Sequence, residues 1–554
     1  MSRLLRIKCS YRLLTFALLS GFLVTMFAYS VTTAQTASAA SSKTTTKSVF
    51  CANLGKKYEA SSGAQMYCNG IQRSGSGATI TANGTTGANV NAASPSEDVS
   101  PSGVRAYGQS EVSVAGIGSY VVEAWNDATS FMSSCGAPMY KEEGTGFGFS
   151  ANGGKSFVDQ GGLPNANCIN ETYGGDPSVE AWQSGGSSYF YVSSLYNGVF
   201  SPTGFPSDAR SYIAMAACKA SGTGSSATIQ CSQPIIIGAS TQCQTPQQGT
   251  TFCSFLDKDF LSIDPVHGRL YASYTEFGFT GSIVELAMCD IGTPNGGTGA
   301  LGGTAGAPVC VNGGAGSQSK TTSPYFVVAP PDVNFCENEG AYPAVDVKTG
   351  AVYVGYEHNW STSLFSFPGN LCTSLPVQNV VNYVPFACLT MSTTSSCSGP
   401  AAKNTLNVTS MQAAFIPGYS RFPMSDFPRI AVSDRYGTVS LVWNDARTHL
   451  VGDILMQSFD LVSLTSVQSS PVRINSSVGG WHMLPALRNA NANGLLNVSF
   501  YNRTSANSAA TTLYAALNVN PRATGTPANT LITTQATDWL TVSSDINPNF
   551  GDYT

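Results

Sequence analysis

The chain has 554 residues, of which 11% are charged, and a formal net charge of −5. This charge balance excludes a basic surface for nucleic acid, so we expect no nucleic-acid partner. Glycine is abundant, at 56 residues, and the wealth of Gly, Ser, Thr, Asn and Ala is typical of an extracellular β-protein with many turns.

The N-terminus has the layout of an export signal. A basic start, MSRLLRIKC, precedes an apolar stretch from Leu13 to Tyr29 and the small residues Ala37-Ser38-Ala39. We therefore predict a signal peptide over residues 1–39 and a secreted, extracellular protein with no stable membrane span after cleavage. A retained anchor, which would hold the protein at the cell surface, is the alternative, but Thr and Ser residues interrupt the apolar stretch.

Residues 40–105 follow as a predicted linker. The stretches 41–48 and 74–103 are rich in Ser, Thr, Gly, Ala and Asn and carry little apolar periodicity. Cys51 and Cys68 are expected to close a loop within this linker.

The cysteines follow a pattern of close sequence neighbours. Of the 15, Cys9 lies in the predicted signal, which leaves an even number. In an oxidising compartment such neighbours form local disulfides. Zinc is the alternative, but the chain has no CxxC pair and only four His, so we predict no metal site. The predicted disulfides are Cys51–Cys68, Cys135–Cys168, Cys218–Cys231, Cys243–Cys253, Cys289–Cys310, Cys336–Cys372 and Cys388–Cys397.

A repeat occupies the chain from about residue 106 onward. Each copy has an apolar strand, a turn rich in Gly, Asp or Asn, and a strand of alternating aromatics that ends in an aromatic residue and a polar cluster. Repeats of this length are typical of propellers and solenoids. The six copies are residues 111–128, 176–197, 257–277, 341–360, 427–447 and 483–504.

A further strand pair follows each copy. YIAMAACKA and ATIQCSQPIII follow the second copy, and FACLTMS occupies the corresponding place after the fourth. Four strands per repeat, six times, with almost no helical periodicity, predict an all-β fold. We expect a six-bladed β-propeller of four-stranded antiparallel blades over residues 106–554. A β-sandwich is the competing all-β fold, but it would not need six comparable units.

One turn resembles a known family. The sequence SANGGKSF, from Ser150 to Phe157, is similar to the Asp-box, Ser-x-Asp-x-Gly-x-Thr-Trp. Ser150 and Gly154 match, while Asn152, Ser156 and Phe157 replace Asp, Thr and Trp. The chain therefore resembles the sialidase-like, Asp-box (BNR repeat) propeller superfamily, in which the box lies between the third and fourth strands of a blade.

This resemblance implies which end of the propeller holds the site. If the box turns lie at one end, the second strands finish at the other, where this superfamily binds its ligands. Acidic residues follow the second-strand aromatics in four repeats, and polar segments entering the first strands reach the same end. The candidate catalytic residues are Asp127, Glu276, Glu357 and Asp445. The candidate ligand-binding residues are Arg447, Arg503, Asp176, Asp259, His358 and His482. Polar strand ends are also ordinary solvated rim, so no single residue identifies a chemistry.

The expected function depends on a family motif that this sequence does not have. Sialidases of this superfamily hold a carboxylate with an arginine trio, but EVSVAGIG stands where an Arg-Ile-Pro motif would open the first blade. We therefore expect a secreted propeller that binds an extracellular glycan or other surface ligand at its central depression, without sialidase turnover. An exo-glycosidase of the sialidase type, using two of the candidate acids, is one alternative. A structural or adhesive exoprotein is the other.

No cofactor is expected. Calcium is the alternative, because clustered carboxylates and carbonyls suit it, although the chain has no EF-hand spacing.

Overall fold

The computed structural model describes most of the predicted propeller and one short segment before it. The described residues are 89–93, 109–127, 144–168, 170–198, 210–244, 252–278, 281–310, 314–315, 326–331, 337–360, 377–389, 405–411, 427–489, 493–504 and 510–538. The predicted signal and nearly all of the predicted linker lie outside these ranges.

The described strands form six antiparallel blade sheets that follow one another along the chain, and one small two-stranded sheet, which confirms the six-bladed propeller. Each sheet opens with the two strands of one predicted repeat. Blade 1 contains β1 (Gln109–Ile117), β2 (Tyr120–Asp127), β3 (Thr145–Ser150) and β4 (Val158–Gly162). Blade 2 contains β5 (Glu171–Tyr173), β6 (Ser178–Ser184), β7 (Ser187–Gly198), β8 (Ser211–Ser221), a 3-10 helix (Gly224–Ser226), β9 (Thr228–Cys231) and β10 (Ile235–Ala239). Since β5 and β6 both pair with β7, they share the first-strand position, and β9 and β10 share the fourth beside β8.

A two-stranded sheet precedes blade 3, and that blade contains additional short strands. The small sheet pairs β11 (Cys243–Gln244) with β12 (Phe252–Cys253). Blade 3 contains β13 (Phe255–Asp264), β14 (Arg269–Gly278), β15 (Gly281–Asp290), β16 (Val309–Cys310), β17 (Gly314–Ala315) and β18 (Phe326–Ala329). Both β16 and β18 pair with β15, so together they occupy the outer edge of the blade.

The last three blades are simpler. Blade 4 contains β19 (Glu337–Asp346), β20 (Ala351–Trp360), β21 (Val377–Val384), a 3-10 helix (Phe386–Leu389) and β22 (Thr405–Met411). Blade 5 contains β23 (Arg429–Ser433), β24 (Thr438–Asp445), β25 (Asp453–Asp460) and β26 (Val472–Arg473). Blade 6 contains β27 (Trp481–Asn489), β28 (Leu496–Arg503), β29 (Ala510–Val519), β30 (Thr530–Leu531) and β31 (Thr537–Asp538).

One strand assignment from the sequence is wrong. FACLTMS was predicted as the third strand of the fourth repeat, but Phe386–Leu389 is a 3-10 helix and the third strand is Val377–Val384. Pro385 lies between them and has no N–H to donate to a sheet, so the strand ends before it.

The apolar core lies between the blades. Five buried clusters fill the spaces between consecutive blades, one for each pair from blades 1 and 2 to blades 5 and 6. Along a strand, successive side chains point to opposite faces. In blade 4, for example, Tyr356 packs with Tyr271 of blade 3, whereas Tyr353 packs with Leu441 of blade 5. The phase of a second-strand residue therefore decides which neighbouring blade it meets.

Residues 89–93, which the sequence placed in the linker, contact both the first and the last blade. A Cβ on Gly148 of β3 would lie 2.7 Å from the carbonyl oxygen of Ala92. The Thr534 N–H of blade 6 donates a 2.5 Å hydrogen bond to Asn89 Oδ1. This segment therefore fills space on the face of blade 1 that looks toward blade 6.

The SANGGKSF turn joins β3 to β4, so it lies between the third and fourth strands of its blade. Asn152 Oδ1 accepts from the Ser156 N–H at 3.0 Å, and Ser150 Oγ accepts from the Gly154 N–H at 3.0 Å. Gly153 and Gly154 have φ of 73° and 79°, values that favour glycine. Asn152 thus satisfies turn amides, as an Asp would.

Three of the predicted disulfides are present in the described residues: Cys218–Cys231, Cys243–Cys253 and Cys289–Cys310. The first joins β8 to β9 and the third joins β15 to β16, so each staples a third strand to a fourth. Cys168 is also disulfide-bonded, but its predicted partner Cys135 lies outside the described residues. The other predicted pairs also involve cysteines or cysteine side chains outside them and stay predictions.

None of the helices in the described part of the chain has the length and apolar character to span a membrane.

Candidate functional site

The second strands end, and the first strands begin, at one end of the propeller, which we call the mouth. In five blades a residue at the start of the first strand has positive φ: Glu111 (54°), Asp176 (56°), Lys258 (57°), Gly340 (67°) and Leu484 (48°). The pairing of β1, β13, β19 and β27 shifts register at this point, so the residues form bulges. Bulges re-aim side chains and are common beside functional sites.

The bulges of blades 1, 2 and 3 join into one charged network, which we call the mouth network. Asn126 Nδ2 donates to Glu111 Oε2 at 2.8 Å, and the Asp176 N–H donates to Asn126 Oδ1 at 2.5 Å. Lys258 Nζ lies 3.4 Å from Asp176 Oδ2 and 3.4 Å from Asp257 Oδ2. Carboxylates of blades 2 and 3 therefore share a single ammonium, and Asn126 links Asp176 to Glu111 of blade 1.

The two candidate acids of this region have opposite protonation tendencies. Burial by itself would raise the pKa of Asp176, but the Lys258 ammonium and hydrogen bonds with Glu111, Asp257 and Asn126 hold it well below its usual value. Burial raises the pKa of Asp259 well above its usual value, and the nearby Asp176 adds to this effect, although a hydrogen bond from Ser193 opposes it. The fold therefore favours the ionised form of Asp176 and the protonated form of Asp259. Asp259 Oδ1 is buried and has no hydrogen-bond partner among the described residues.

Glu276 is fully buried, and its carboxylate is hydrogen-bonded to a loop. Its carboxylate accepts from the Thr241 N–H at 2.7 Å, the Thr241 hydroxyl at 2.5 Å and the Gln242 N–H at 3.1 Å. The Ser254 hydroxyl also donates to it. These donors flank the Cys243–Cys253 disulfide, so Glu276 fixes the connection between blades 2 and 3.

Asp127 and Asp445 occupy equivalent places in blades 1 and 5. The indole Nε1 of Trp125 lies 3.4 Å from Asp127 Oδ2, and that of Trp443 lies 3.1 Å from Asp445 Oδ2. Both pairs span two residues at the end of a second strand. Each carboxylate thus accepts from the aromatic residue that precedes it on the same face of the strand.

Asp445 additionally orients Arg447. The Arg447 Nε lies 2.9 Å from Asp445 Oδ1 and its Nη2 lies 2.6 Å from Oδ2, a bidentate arrangement. Asp445 is 1% exposed, so it is a buried anchor and not the solvated rim residue that its sequence position suggests.

Glu357 differs from the other candidate acids by one residue in phase. The other three acids lie two residues after the aromatic of their strand, whereas Glu357 directly follows Tyr356. Glu357 therefore points to the opposite face of its blade from the one that the other acids occupy in theirs. Glu339, Glu357, Asn379 and Thr409 are successive cross-strand partners in blade 4 and share one face. This row ends at blade 5, because Thr409 Oγ1 accepts from Arg447 Nη2 at 3.1 Å. The phase difference therefore brings Glu357 into the space between blades 4 and 5 that also contains Asp445.

Asn379 adds an unusual feature to this row. Both of its side-chain amide atoms are buried and have no hydrogen-bond partner among the described residues.

The candidate histidines form hydrogen bonds with nearby residues of the fold. His358 Nδ1 lies 2.6 Å from Asn338 Oδ1. His482 lies between Gly452 O, 3.1 Å from its Nδ1, and Ser477 Oγ, 3.0 Å from its Nε2. Burial lowers the pKa of His482, so this ring is neutral at pH 7.

Arg503, the remaining candidate, stacks on an aromatic ring. Its guanidinium carbon lies 5.2 Å from the centroid of Trp481, within the range of a cation–π contact. An aromatic face of this kind is also suited to the apolar face of a sugar ring.

A cleft opens on the outer strands of blade 5, and we call it the outer cleft. Its volume is about 420 Å³. It is lined by Arg447, Thr448, Asp453, Leu455, Ser470, Pro471 and Arg473. The strands β25 and β26 form its wall, so it lies away from the first strands at the channel.

The described residues contain no group of three or more His, Cys, Asp and Glu side chains arranged to hold a metal ion.

The structure thus divides the candidates among separate places. Asp176 and Asp259 lie in or beside the mouth network, Glu357 and Asp445 face the space between blades 4 and 5, and Arg447 also faces the outer cleft. Sequence reasoning missed Glu111, Lys258 and Arg473. The charged run Asp257-Lys258-Asp259 was the available signal for Lys258, whereas the positive φ that aims Glu111 has no sequence signature in a non-glycine residue.

The sequence matches no protein-family model, and no curated protein matches it. Its structure is similar to that of Trypanosoma rangeli sialidase in complex with 2,3-difluorosialic acid, with 9% identity, a TM-score of 0.37, and coverage of 76% of this chain and 56% of that one. This chain therefore spans little more than half the length of that sialidase.

Two shorter solved structures are also similar. A protein of unknown function from Dyadobacter fermentans has 11% identity, a TM-score of 0.35, and coverage of 72% of this chain and 92% of that one. A GH43 endo-arabinanase from Bacillus licheniformis has 12% identity, a TM-score of 0.29, and coverage of 64% and 95%. The propeller is assigned here from the strand pairing of the blades themselves.

Proposed function

We propose that this protein is a secreted propeller that binds a neutral carbohydrate at its mouth. The observation that carries the proposal is the mouth network, in which Asp176 and Asp257 share Lys258 and Asn126 joins Asp176 to Glu111 of a third blade. Carboxylate oxygens accept hydrogen bonds from sugar hydroxyls, and several convergent polar groups in a concave site are what orient a ligand.

The charge of the mouth supports a neutral sugar over a sialylated one. The single ammonium of Lys258 is already shared by two carboxylates. Two arginines of the first strands are engaged as well. Arg488 Nη1 lies 2.6 Å from Glu180 Oε1, and the Arg429 guanidinium lies 4.5 Å from the ring of Phe260. A carboxylate ligand beside Lys258 would therefore meet more acidic than basic side chains.

Paired glycans provide the test. A glycan array with matched sialylated and asialo structures is probed with the full chain, and a bound glycan is then titrated by calorimetry. We expect binding to neutral members, and about tenfold weaker binding for Asp257→Asn, whose carboxylate is the most exposed of those around Lys258. Asp460→Asn is the matched control, since Asp460 is the last residue of β25 and lies at the opposite end. Binding restricted to sialylated glycans, or unaffected by Asp257→Asn, overturns the proposal, and an array without any binding favours an adhesive role.

Hydrolysis is the second candidate, and the opposed pKa shifts of Asp176 and Asp259 favour it. Neighbouring carboxyl groups with separated pKa values are the arrangement used for acid–base catalysis. Asp259 would protonate the glycosidic oxygen while Asp176 activates the attacking water. Release of nitrophenol from a panel of neutral nitrophenyl glycosides tests this role. Activity that survives in Asp259→Asn, or no activity on any glycoside, removes it.

A further inference from the structure

The outer cleft of blade 5 contains an arginine whose Nε has no hydrogen-bond partner among the described residues. This residue, Arg473, lies on β26 and lines the cleft. Its Nε is buried. A buried guanidinium nitrogen that donates to nothing costs free energy, so a ligand that accepts from it would be stabilised.

A second guanidinium lines the same cleft and is held in place. Asp445 binds Arg447 through Nε and Nη2, and Thr409 Oγ1 accepts from Nη2. The Arg447 side chain is nevertheless 38% exposed, while that of Asp445 is 1% exposed. The carboxylate beneath therefore fixes the orientation of a guanidinium that reaches the cleft surface.

The acid of the cleft does not compete for these arginines. Asp453 Oδ2 lies 2.5 Å from His449 Nδ1, and its Oδ1 accepts from Asn475 Nδ2 at 2.8 Å. Both carboxylate oxygens thus already have hydrogen-bond partners. Hydroxyl groups of Thr448 and Ser470 and the apolar surfaces of Leu455 and Pro471 complete the lining.

We propose that the outer cleft binds an oxyanion group, a carboxylate or a sulfate ester, carried by a saccharide. Arg473 donates to the oxyanion from Nε, Arg447 contributes the second positive charge, and the hydroxyl and apolar groups contact the sugar. A volume of about 420 Å³ is sufficient for one or two sugar rings. This site is separate from the mouth network and does not depend on the function proposed for it.

Three sugars that differ in charge test the site. Binding of D-glucuronate, D-glucose 6-sulfate and D-glucose to the full chain is measured by saturation-transfer NMR and calorimetry. We expect at least one of the two anions to bind and D-glucose not to bind at the same concentration. The anion that binds more tightly shows whether the site prefers a carboxylate or a sulfate ester. Equal binding of D-glucose, or binding of neither anion, overturns the proposal.

Matched arginine variants then locate the binding. Arg473→Gln should weaken anion binding about tenfold or more, the range expected for one charge-assisted hydrogen bond. Arg435→Gln, in the exposed turn between β23 and β24 at the opposite end of the same blade, should leave it unchanged. If Arg473→Gln does not fold, Arg473→Lys keeps the charge but loses the planar fork and should also bind more weakly. Unchanged anion binding in a folded Arg473 variant places the anion elsewhere and refutes the site, whereas Asp257→Asn at the mouth should have no effect on it.

Discussion

Lys258 of blade 3 reaches across to blade 2, where its Nζ lies 3.4 Å from Asp176 Oδ2. Both residues have positive φ and both are buried, with side chains 7% and 10% exposed. A buried ion pair has a large desolvation cost, so its net contribution to stability is small, but removal of one partner leaves an uncompensated charge. The pair therefore links two blades at the mouth in a way that one substitution disrupts.

Replacement of Lys258 by Met should destabilise the propeller by about 3–5 kcal/mol, because Asp176 would remain as a buried carboxylate without its cation. Urea unfolding measures the change in the free energy of unfolding. The double variant Lys258→Met/Asp176→Asn should recover part of the loss, since the charge is then removed as well. Additive effects of the two single substitutions would contradict a direct pair.

Glu276→Gln should lower the free energy of unfolding by about 3 kcal/mol. The amide replaces one acceptor oxygen by a donor, so it leaves donors of Thr241, Gln242 or Ser254 without an acceptor. Thermal unfolding and limited proteolysis of the connection 241–254 should both report the change. A variant as stable as the native chain, with the connection equally resistant, would show that the carboxylate does not hold this loop.

Gly148→Ala tests the contact of residues 89–93 with blade 1. The new Cβ would lie 2.7 Å from the Ala92 carbonyl oxygen, too close for a backbone atom. We expect a loss of about 1–3 kcal/mol from overpacking, or displacement of the segment, seen as faster proteolysis within residues 89–93. Gly525→Ala is the control, because a Cβ there meets nothing within 4 Å. Equal behaviour of the two variants would argue against this contact.

Glu337 should make stability fall as the pH rises. Burial raises the pKa of its carboxyl from 4.5 to about 7, so between these values the folded chain holds a proton that the unfolded chain has lost. Since the folded state then binds more protons, the free energy of unfolding decreases with increasing pH across this window. Glu337→Gln removes this term. The melting temperature of the variant minus that of the native chain should be larger at pH 8 than at pH 4. A difference that does not depend on pH would contradict the raised pKa.

The sequence predicted those parts of the fold that depend on local periodicity. The alternating strands of the six repeats are two-residue patterns, and a four-stranded sheet with two apolar faces needs neighbours on both sides. Cys218–Cys231 and Cys289–Cys310 were predictable because hairpin partners are close in sequence. The third strand of blade 4 was misplaced because Val377–Val384 contains three polar residues and no clear alternation, whereas the neighbouring FACLTMS is a short and more apolar segment, which periodicity alone does not identify as a strand or a helix.

The candidate site was predictable as a region but not as a set of contacts. The polar residues after the aromatic of each second strand, Asp127, Glu276, Glu357 and Asp445, do lie at the ends of those strands. It did not show that Glu276 binds a loop, or that Glu357 points to the opposite face from the others.

By itself, then, the sequence determined the strand repeat, the number of blades, the three disulfides seen in the described residues and the end at which polar groups collect, because each depends on residues close together in the chain. Only the tertiary structure decided which charges meet. Asp176 and Lys258 are 82 residues apart and Arg447 and Thr409 are 38 apart, so their contacts depend on the closeness of neighbouring blades and on backbone bulges with positive φ. The burial that raises the pKa of Asp259 and the Lys258 ammonium that lowers the pKa of Asp176 are likewise properties of the assembled ring and not of either segment alone.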